Sequence, residues 1–221
     1  MPAAPRDLVL LDLDGTLSDP ASGFAAAVAH AFRTLALPVP DDRVIHSFIG
    51  PPITTSFAAH GVPADRMDEA VAIYREAYAA DGLFDSTVYP GIPDQLRLLR
   101  DAGCTLVVAT SKPTVYAVPV CRHLGLTDLV DGIHGATLDE SKSTKAMVVG
   151  QALATVGARG RTLMVGDREH DVHGAGSHGI DTLGVAWGYA APGELERAGA
   201  IAVVARPDDL ARTVLRELRL T

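Results

Sequence analysis

Asp12 and Asp14 close an apolar run, Leu8-Val9-Leu10-Leu11-Asp12-Leu13-Asp14-Gly15-Thr16, and this is where the chain could do chemistry. Four consecutive apolar residues suit a parallel strand covered on both faces, and Gly15 permits a sharp exit from it. Such a strand delivers a reactive aspartate and a second carboxylate to a crevice at the carboxyl edge of a sheet, where ligands bind in open α/β folds. Read alone, the segment is equally an Asp-rich turn, since Asp and Gly are ordinary turn residues. Three further signals argue otherwise. Leu106-Val107-Val108-Ala109 runs into Thr110-Ser111-Lys112-Pro113, which puts hydroxyls and a lysine at a strand end. Leu163-Met164-Val165-Gly166 runs into Asp167, with Asp171 four residues on. Lys145 opens a helical pattern for which Ser143 is the expected N-cap.

The elements that must position these residues form a doubly wound α/β pattern. Apolar runs of strand length are expected at 8–12, 104–110, 132–136, 162–167, 182–185 and 202–204, with amphipathic helices at 92–102, 114–124, 145–156, 170–178 and 208–218. Residues 19–85 break the alternation. Helical patterns, several of them Ala-rich, are expected at 22–35, 42–48, 53–60 and 65–81. Pro20 at the start and the 85–90 stretch at the end carry turn residues suited to two hinge strands. The expected division is a core of 1–18 and 86–221 with a helical insertion of 19–85, placed as a lid over the strand ends.

Length and composition limit the partners. A chain of 221 residues can bury a substantial core, and 48% hydrophobic with 21% charged residues is ordinary for a soluble globular protein. The net charge of −8 argues against binding nucleic acid or an anionic membrane through a basic face. A phosphorylated substrate would therefore need cations supplied locally. Cys104 and Cys121 form no CxxC pair, so reduced structural thiols in a cytoplasm are expected. The short apolar run at the N-terminus, broken by Asp7 and Asp12, reads as neither signal peptide nor membrane span.

Asp-x-Asp-Gly-Thr at 12 to 16, Thr110, Lys145 and Gly-Asp-x-x-x-Asp at 166 to 171, in this order, resemble the haloacid dehalogenase superfamily of hydrolases. The resemblance covers nearly the whole chain and looks closest to its phosphoglycolate phosphatase branch. Leu138-Asp139, Ser143-Thr144-Lys145 and Gly-Asp-Arg at 166 to 168 also resemble bacterial 5'-nucleotidase-like members. The resemblance implies a Rossmann-like core with a helical cap and Mg²⁺-dependent hydrolysis of small phosphate monoesters through an aspartyl-phosphate. It implies Asp12 as nucleophile and Asp14 as acid and base, with the Asp14 pKa raised by anionic neighbours. Thr110 and Lys145 would stabilise the phosphoryl group. Asp12, the Asp14 carbonyl, Asp167 and Asp171 would bind the metal, with Asp171 either a ligand or an orienting group. Thr16, Gly50, Ser111 and Lys112 would contact a small phosphorylated metabolite.

Several residues keep competing readings. Lys142 rivals Lys145, which is preferred because a helix start is the more rigid mount. Thr110 could be a strand-end hydroxyl bonded to backbone, and Lys112 a solvated lysine. Arg168 and Trp187-Gly188-Tyr189 look like subfamily features, against which stand surface charge for the first and aromatic packing for the second. Gly174-Ala175-Gly176-Ser177-His178-Gly179 matches a dinucleotide-binding pattern but lacks the preceding strand, so close helix packing and a helix C-cap explain it better. His170 and His173 find no further zinc ligands at suitable spacing. Other activities in view are a phosphomutase of the β-phosphoglucomutase type and a phosphoryl-accepting signalling module. Oligomeric state does not follow from the sequence.

Overall fold

The structure, a computed structural model, describes residues 6–138, 144–157 and 160–220. Asp139, Lys142 and Ser143, singled out above, lie outside the described residues.

Six parallel strands form the main sheet: β1 (Leu8–Leu11), β4 (Thr105–Pro113), β5 (Gly132–Ala136), β6 (Thr162–Gly166), β7 (Asp181–Val185) and β8 (Ala202–Val204). Their order is β5-β4-β1-β6-β7-β8, with Leu8 level with both Thr105 and Thr162. The strand order reverses at β1, so the crevice beyond its carboxyl end is the topological switch point. Alternation along β1 sends Leu8 and Leu10 to one apolar cluster and Val9 and Leu11 to the other. The first cluster includes residues of α7 (Lys145–Val156) and α8 (Glu169–Gly176). The second takes in α5 (Ile92–Asp101), α6 (Thr114–His123) and α10 (Leu210–Leu220). A short helix, α9 (Glu194–Ala198), lies outside the expected elements. Its five residues are too few to show a helical period.

Between Ser18–Asp19 (β2) and Thr87–Val88 (β3), which pair antiparallel, every described helix belongs to the 19–85 segment. It contains α1 (Ala21–Thr34), α2 (Asp42–His46), α3 (Ile53–Ala59) and α4 (Met67–Ala77). The single helix expected over 65–81 is instead a 3₁₀ turn at Ala64–Arg66, α4, and a π-type turn at Tyr78–Gly82. Aromatic rings join these pieces. Phe24 meets Tyr74 edge-on at 5.7 Å, Phe57 meets Phe32 at 5.5 Å and Tyr74 at 6.0 Å, and Tyr74 stacks on Tyr78. The apolar cluster containing Val9 and Leu11 continues without a break into this segment through Leu13, Leu17 and Phe32. Among the described residues, no helix is long and apolar enough to cross a membrane.

Helix α1 approaches the Tyr78–Gly82 turn so closely that a Cβ on Gly23 would lie 2.3 Å from the Gly82 carbonyl oxygen. Gly23→Ala should therefore force the two apart and destabilise the protein by about 1–3 kcal/mol, the usual cost of overpacking. For a chain of this size that lowers Tm by about 2–4 °C per kcal/mol in a thermal melt. An unchanged Tm would show that the contact yields freely.

Candidate active site

The ends of β1, β4 and β6 bring the carboxylates and lysines into one centre. Asp12 follows β1 directly, and Asp167 follows β6 directly. Asp171 comes from the first turn of α8, where its Oδ2 accepts from the Arg168 backbone N–H at 3.0 Å. Carboxylate oxygens of Asp12, Asp167 and Asp171 lie within 4.8 Å of one another, all buried.

Lys145 holds this group together. Its Nζ lies 2.7 Å from Asp12 Oδ1, 2.7 Å from Asp171 Oδ1 and 3.0 Å from the Ala109 carbonyl. An ammonium has three N–H donors, so these partners account for all of them. Burial would push the lysine pKa down, but the two aspartates outweigh it and hold it above the ordinary range. The helix that carries Lys145 is capped by Thr144, whose hydroxyl accepts from the Met147 N–H at 3.3 Å, and not by Ser143 as expected. A β-region Thr immediately before the first helical residue can reach that N–H. Close packing of α7 on α8 explains Gly174, where a Cβ would lie 2.7 Å from the Cβ of Lys145. Gly179, beyond α8, has φ +68°, so the glycine run serves packing and chain reversal as anticipated.

Asp167 sits fully buried between two glycines. A Cβ on Gly15, at φ +87°, would fall 2.2 Å from its Oδ2, and one on Gly188 would fall 2.3 Å from its Cβ. Thr16 donates to its Oδ1 at 3.2 Å, and the Tyr189 N–H donates to Oδ2 at 2.8 Å. Thr16 is thus turned toward Asp167 with no exposed surface, and it does not line the cavity where a substrate contact was expected. The Trp187 indole N–H fixes the Thr16 carbonyl at 3.0 Å. Trp187 and Tyr189 therefore contribute hydrogen bonds as well as packing. The aromatic spacing alone carried no sign of this.

Asp14 is held separately. Lys112 Nζ contacts its Oδ2 at 2.6 Å and stands 5.3 Å over the Tyr78 ring, so Lys112 is a buried ion-pair partner and not a solvated lysine. Asp14 Oδ1 is buried without a hydrogen-bond partner among the described residues. Burial raises the Asp14 pKa most, Lys112 opposes it, and Asp12 adds to it. The rise expected from anionic neighbours is present but comes mainly from desolvation. Thr110 is buried, and its Oγ1 accepts from the Lys112 N–H at 3.2 Å.

A cavity of about 110 Å³ opens beside Asp12 and Asp14. Thr110, Ser111 and Lys112 line it from the sheet, and Gly50 lines it from the helical segment. Phe24, Phe48, Ile49, Ile53 and Tyr74 make much of the remaining wall. Of the substrate contacts expected from the sequence, Gly50, Ser111 and Lys112 line this cavity and Thr16 does not.

The carboxylate cluster fits a hard divalent cation. Asp12, Asp14, Asp167 and Asp171 face Lys112 and Lys145, leaving the centre short of two positive charges when all are ionised. Burial, then Asp171, then Asp12 push Asp167 well above the carboxylate range, while Asp171 is pushed up to about 6, chiefly by burial. Oxygen-only donors of this kind suit Mg²⁺.

A sheet that gathers buried, lysine-paired carboxylates at its switch point defines a Rossmann-like α/β fold with an acidic centre. The chain belongs to the haloacid dehalogenase-like hydrolase family, whose profile matches residues 9–185. It is 40% identical over 189 residues to the tyrosine-protein kinase PtkA of Mycobacterium tuberculosis, which covers 85% of this chain but only 65% of PtkA. It is 39% identical to the 5'-nucleotidase of Pseudomonas aeruginosa, over 85% of this chain and 86% of that protein. Identity to the phosphoglycolate phosphatase of Agrobacterium fabrum is 32%, over 82% and 81%. A "predicted phosphatase" of Clostridium acetobutylicum superposes with a TM-score of 0.90 at 36% identity, covering 96% of this chain and all of that one.

If the cluster is a cation site, Mg²⁺ should raise Tm and chelator should reverse the rise, by about 2.7 kcal/mol of stabilisation at a hundredfold excess over Kd. Asp167→Asn should abolish that shift. A shift of equal size in the variant would place the ion elsewhere.

Proposed function

We propose that the protein is a Mg²⁺-dependent phosphatase of small phosphate monoesters, working through an aspartyl-phosphate on Asp12. The observation that carries the reading is that Asp12 and Asp14 line one cavity while each is held by its own buried lysine. Two carboxylates two residues apart can divide the work only if their surroundings differ. One of them has a lysine, an aspartate and a strand carbonyl around it; the other has Lys112 and an unpaired oxygen.

The Asp12 carboxylate attacks phosphorus, and the bond from phosphorus to the leaving oxygen breaks as the new one forms. Asp14, its pKa raised by burial, holds the proton that this oxygen needs and gives it up. Lys112 then favours the ionised form of Asp14, which takes a proton from water. That water attacks phosphorus, the bond to Asp12 breaks, and inorganic phosphate leaves. Lys145 offsets charge on the nucleophile without spending a hydrogen bond on the substrate, since its donors are committed. Thr110 and Ser111 are the hydroxyls placed to meet phosphoryl oxygens. Asp12, Asp167, Asp171 and the Asp14 carbonyl would hold Mg²⁺, which when bound supplies Lewis-acid neutralisation of the phosphoryl group. Thr16 acts one step back, by orienting Asp167.

Residues 19–85 are the cap in this reading, hung on the β2–β3 pair, with 1–18 and 86–221 as the catalytic core. The cap side of the cavity, largely apolar through Phe24, Phe48, Ile49, Ile53 and Tyr74 with Arg75 beside them, favours a leaving group with an apolar or planar face. A hexose would lose hydrogen bonds against it, which weighs against a sugar phosphomutase. A nucleoside 5'-monophosphate suits this wall better than phosphoglycolate, and the identity to a 5'-nucleotidase supports the same choice.

A phosphate-release assay over nucleoside monophosphates, phosphoglycolate and hexose phosphates, with Mg²⁺ and with chelator, tests the reading directly. Release should need Mg²⁺ and be fastest with a nucleotide. Conversion of β-glucose 1-phosphate to glucose 6-phosphate without release would establish the mutase instead. Asp12→Asn should reduce turnover by at least about 10³-fold, since an amide cannot form the intermediate. Asp14→Asn should let phosphoenzyme accumulate, and unaltered turnover would remove Asp14 from proton transfer. Lys145→Ala should cost more activity than Lys142→Ala.

A further inference from the structure

Arg168 follows the metal-cluster residue Asp167, yet its side chain leaves the sheet edge for the helical segment. It is only 9% exposed. Its Nε donates to Glu194 Oε1 at 2.8 Å, while Nη1 donates to the carbonyls of Ile49 and Ser47. Glu194 is fixed in turn: Oε1 also accepts from the Glu169 N–H at 3.0 Å, and Oε2 accepts from the Ala191 N–H at 2.8 Å. These bonds and Arg168 outweigh burial and keep Glu194 below the usual carboxylate range. The guanidinium thus has one edge anchored on the core and another on the segment 47–50. That segment runs on from α2 and lines the cavity through Phe48, Ile49 and Gly50. Gly50 makes room for the arginine, since a Cβ there would lie 3.1 Å from its Cγ at φ +109°.

We propose that Arg168 is a positioning residue that clasps the 47–50 segment down over the cavity, with Glu194 as its anchor on the core. The helical segment is held by the two-residue strands β2 and β3 and by non-directional apolar packing through Leu13, Leu17 and Phe32, and the arginine adds a directional contact at the cavity wall itself. A guanidinium suits the task because its donors form a rigid fork that serves a carboxylate and backbone carbonyls at once, which a lysine cannot do. Because the Arg168 backbone N–H also orients Asp171, the clasp and the carboxylate cluster share one loop. The arginine therefore acts on the leaving-group wall of the cavity and on the time the cap stays closed, and it makes no contact with the reacting atoms.

The proposal rests on the phosphatase reading for its kinetic arm only. In Arg168→Ala, amide hydrogen exchange over 47–53 should quicken about tenfold, the loss of one charge-assisted hydrogen bond, while β1 and β6 keep their protection. KM for a nucleoside monophosphate should rise by a similar factor, while kcat for acetyl phosphate, whose leaving group is too small to reach the 47–50 wall, should stay within about twofold. Arg168→Lys, which keeps the charge and one partner, should fall between the two proteins in both readouts. Unchanged exchange over 47–53 in both variants overturns the clasp whatever the kinetics show. So does an equal loss on both substrates with unchanged exchange, which would assign the arginine to the metal loop alone. Should Arg168→Ala prove globally unstable, Glu194→Gln, which retains the acceptor oxygen but not the charge, gives the same exchange reading. A wild-type protein that releases phosphate from no ester defeats the phosphatase reading and leaves the exchange result to decide the clasp.

Discussion

The Lys145 ammonium, 2.7 Å from both Asp12 and Asp171, is the interaction on which the rest of the structure depends. Buried carboxylates repel one another, and removing each from water costs several kcal/mol unless paired. One lysine between two of them, with its third donor on the Ala109 carbonyl, makes that crowding tenable. The sheet order supplies the geometry, since β4, β1 and β6 are adjacent and their ends converge. Helix α7 supplies the lysine, and Gly174 lets α8 pack closely enough to set Asp171 opposite it.

This arrangement still leaves the centre acidic, and the structure shows how it is managed. Asp167 is met by donors from Thr16 and Tyr189, and Asp14 by Lys112. With all four carboxylates ionised, none of these removes the deficit of two charges against two lysines. In the proposed reaction a cation held by Asp12, Asp167 and Asp171 would supply that charge and lessen the repulsion of an incoming phosphate dianion. An apolar wall over such a floor excludes water, which strengthens every charge interaction beneath it.

The cavity wall and the loop after Asp167 are joined by side-chain hydrogen bonds. Arg168 grips carbonyls of the 47–50 segment, and the Tyr189 hydroxyl donates to Asp19 in β2 while its N–H holds Asp167. The position of the helical segment is thus tied to the residues around Asp167 by two routes, one at the loop over the cavity and one at the strand pair from which the segment hangs. Tight fixing of side chains by a second layer of partners is what gives a polar centre a single geometry.

Much of this was legible in the chain itself. Four-residue apolar runs ending in Asp, Thr or Asp mark buried parallel strands, because strands covered on both faces must be apolar throughout and can carry polar residues only at their ends. The same logic located α7 and the helical segment by their periods. What the sequence could not determine was which polar groups meet after folding. Neither reading of Arg168 could name its partners, which lie 119 to 121 residues away in one direction and 26 in the other. Lys112 reads equally as solvated or as a second cation of the site until Asp14 is found 98 residues off at 2.6 Å. Thr16 faces Asp167 because Gly15 turns the chain, and the five residues of α9 are too few to show a helical period. Apolar burial is additive and periodic, so it is written locally. Hydrogen bonds and ion pairs are directional and pairwise, so only the tertiary structure decides them.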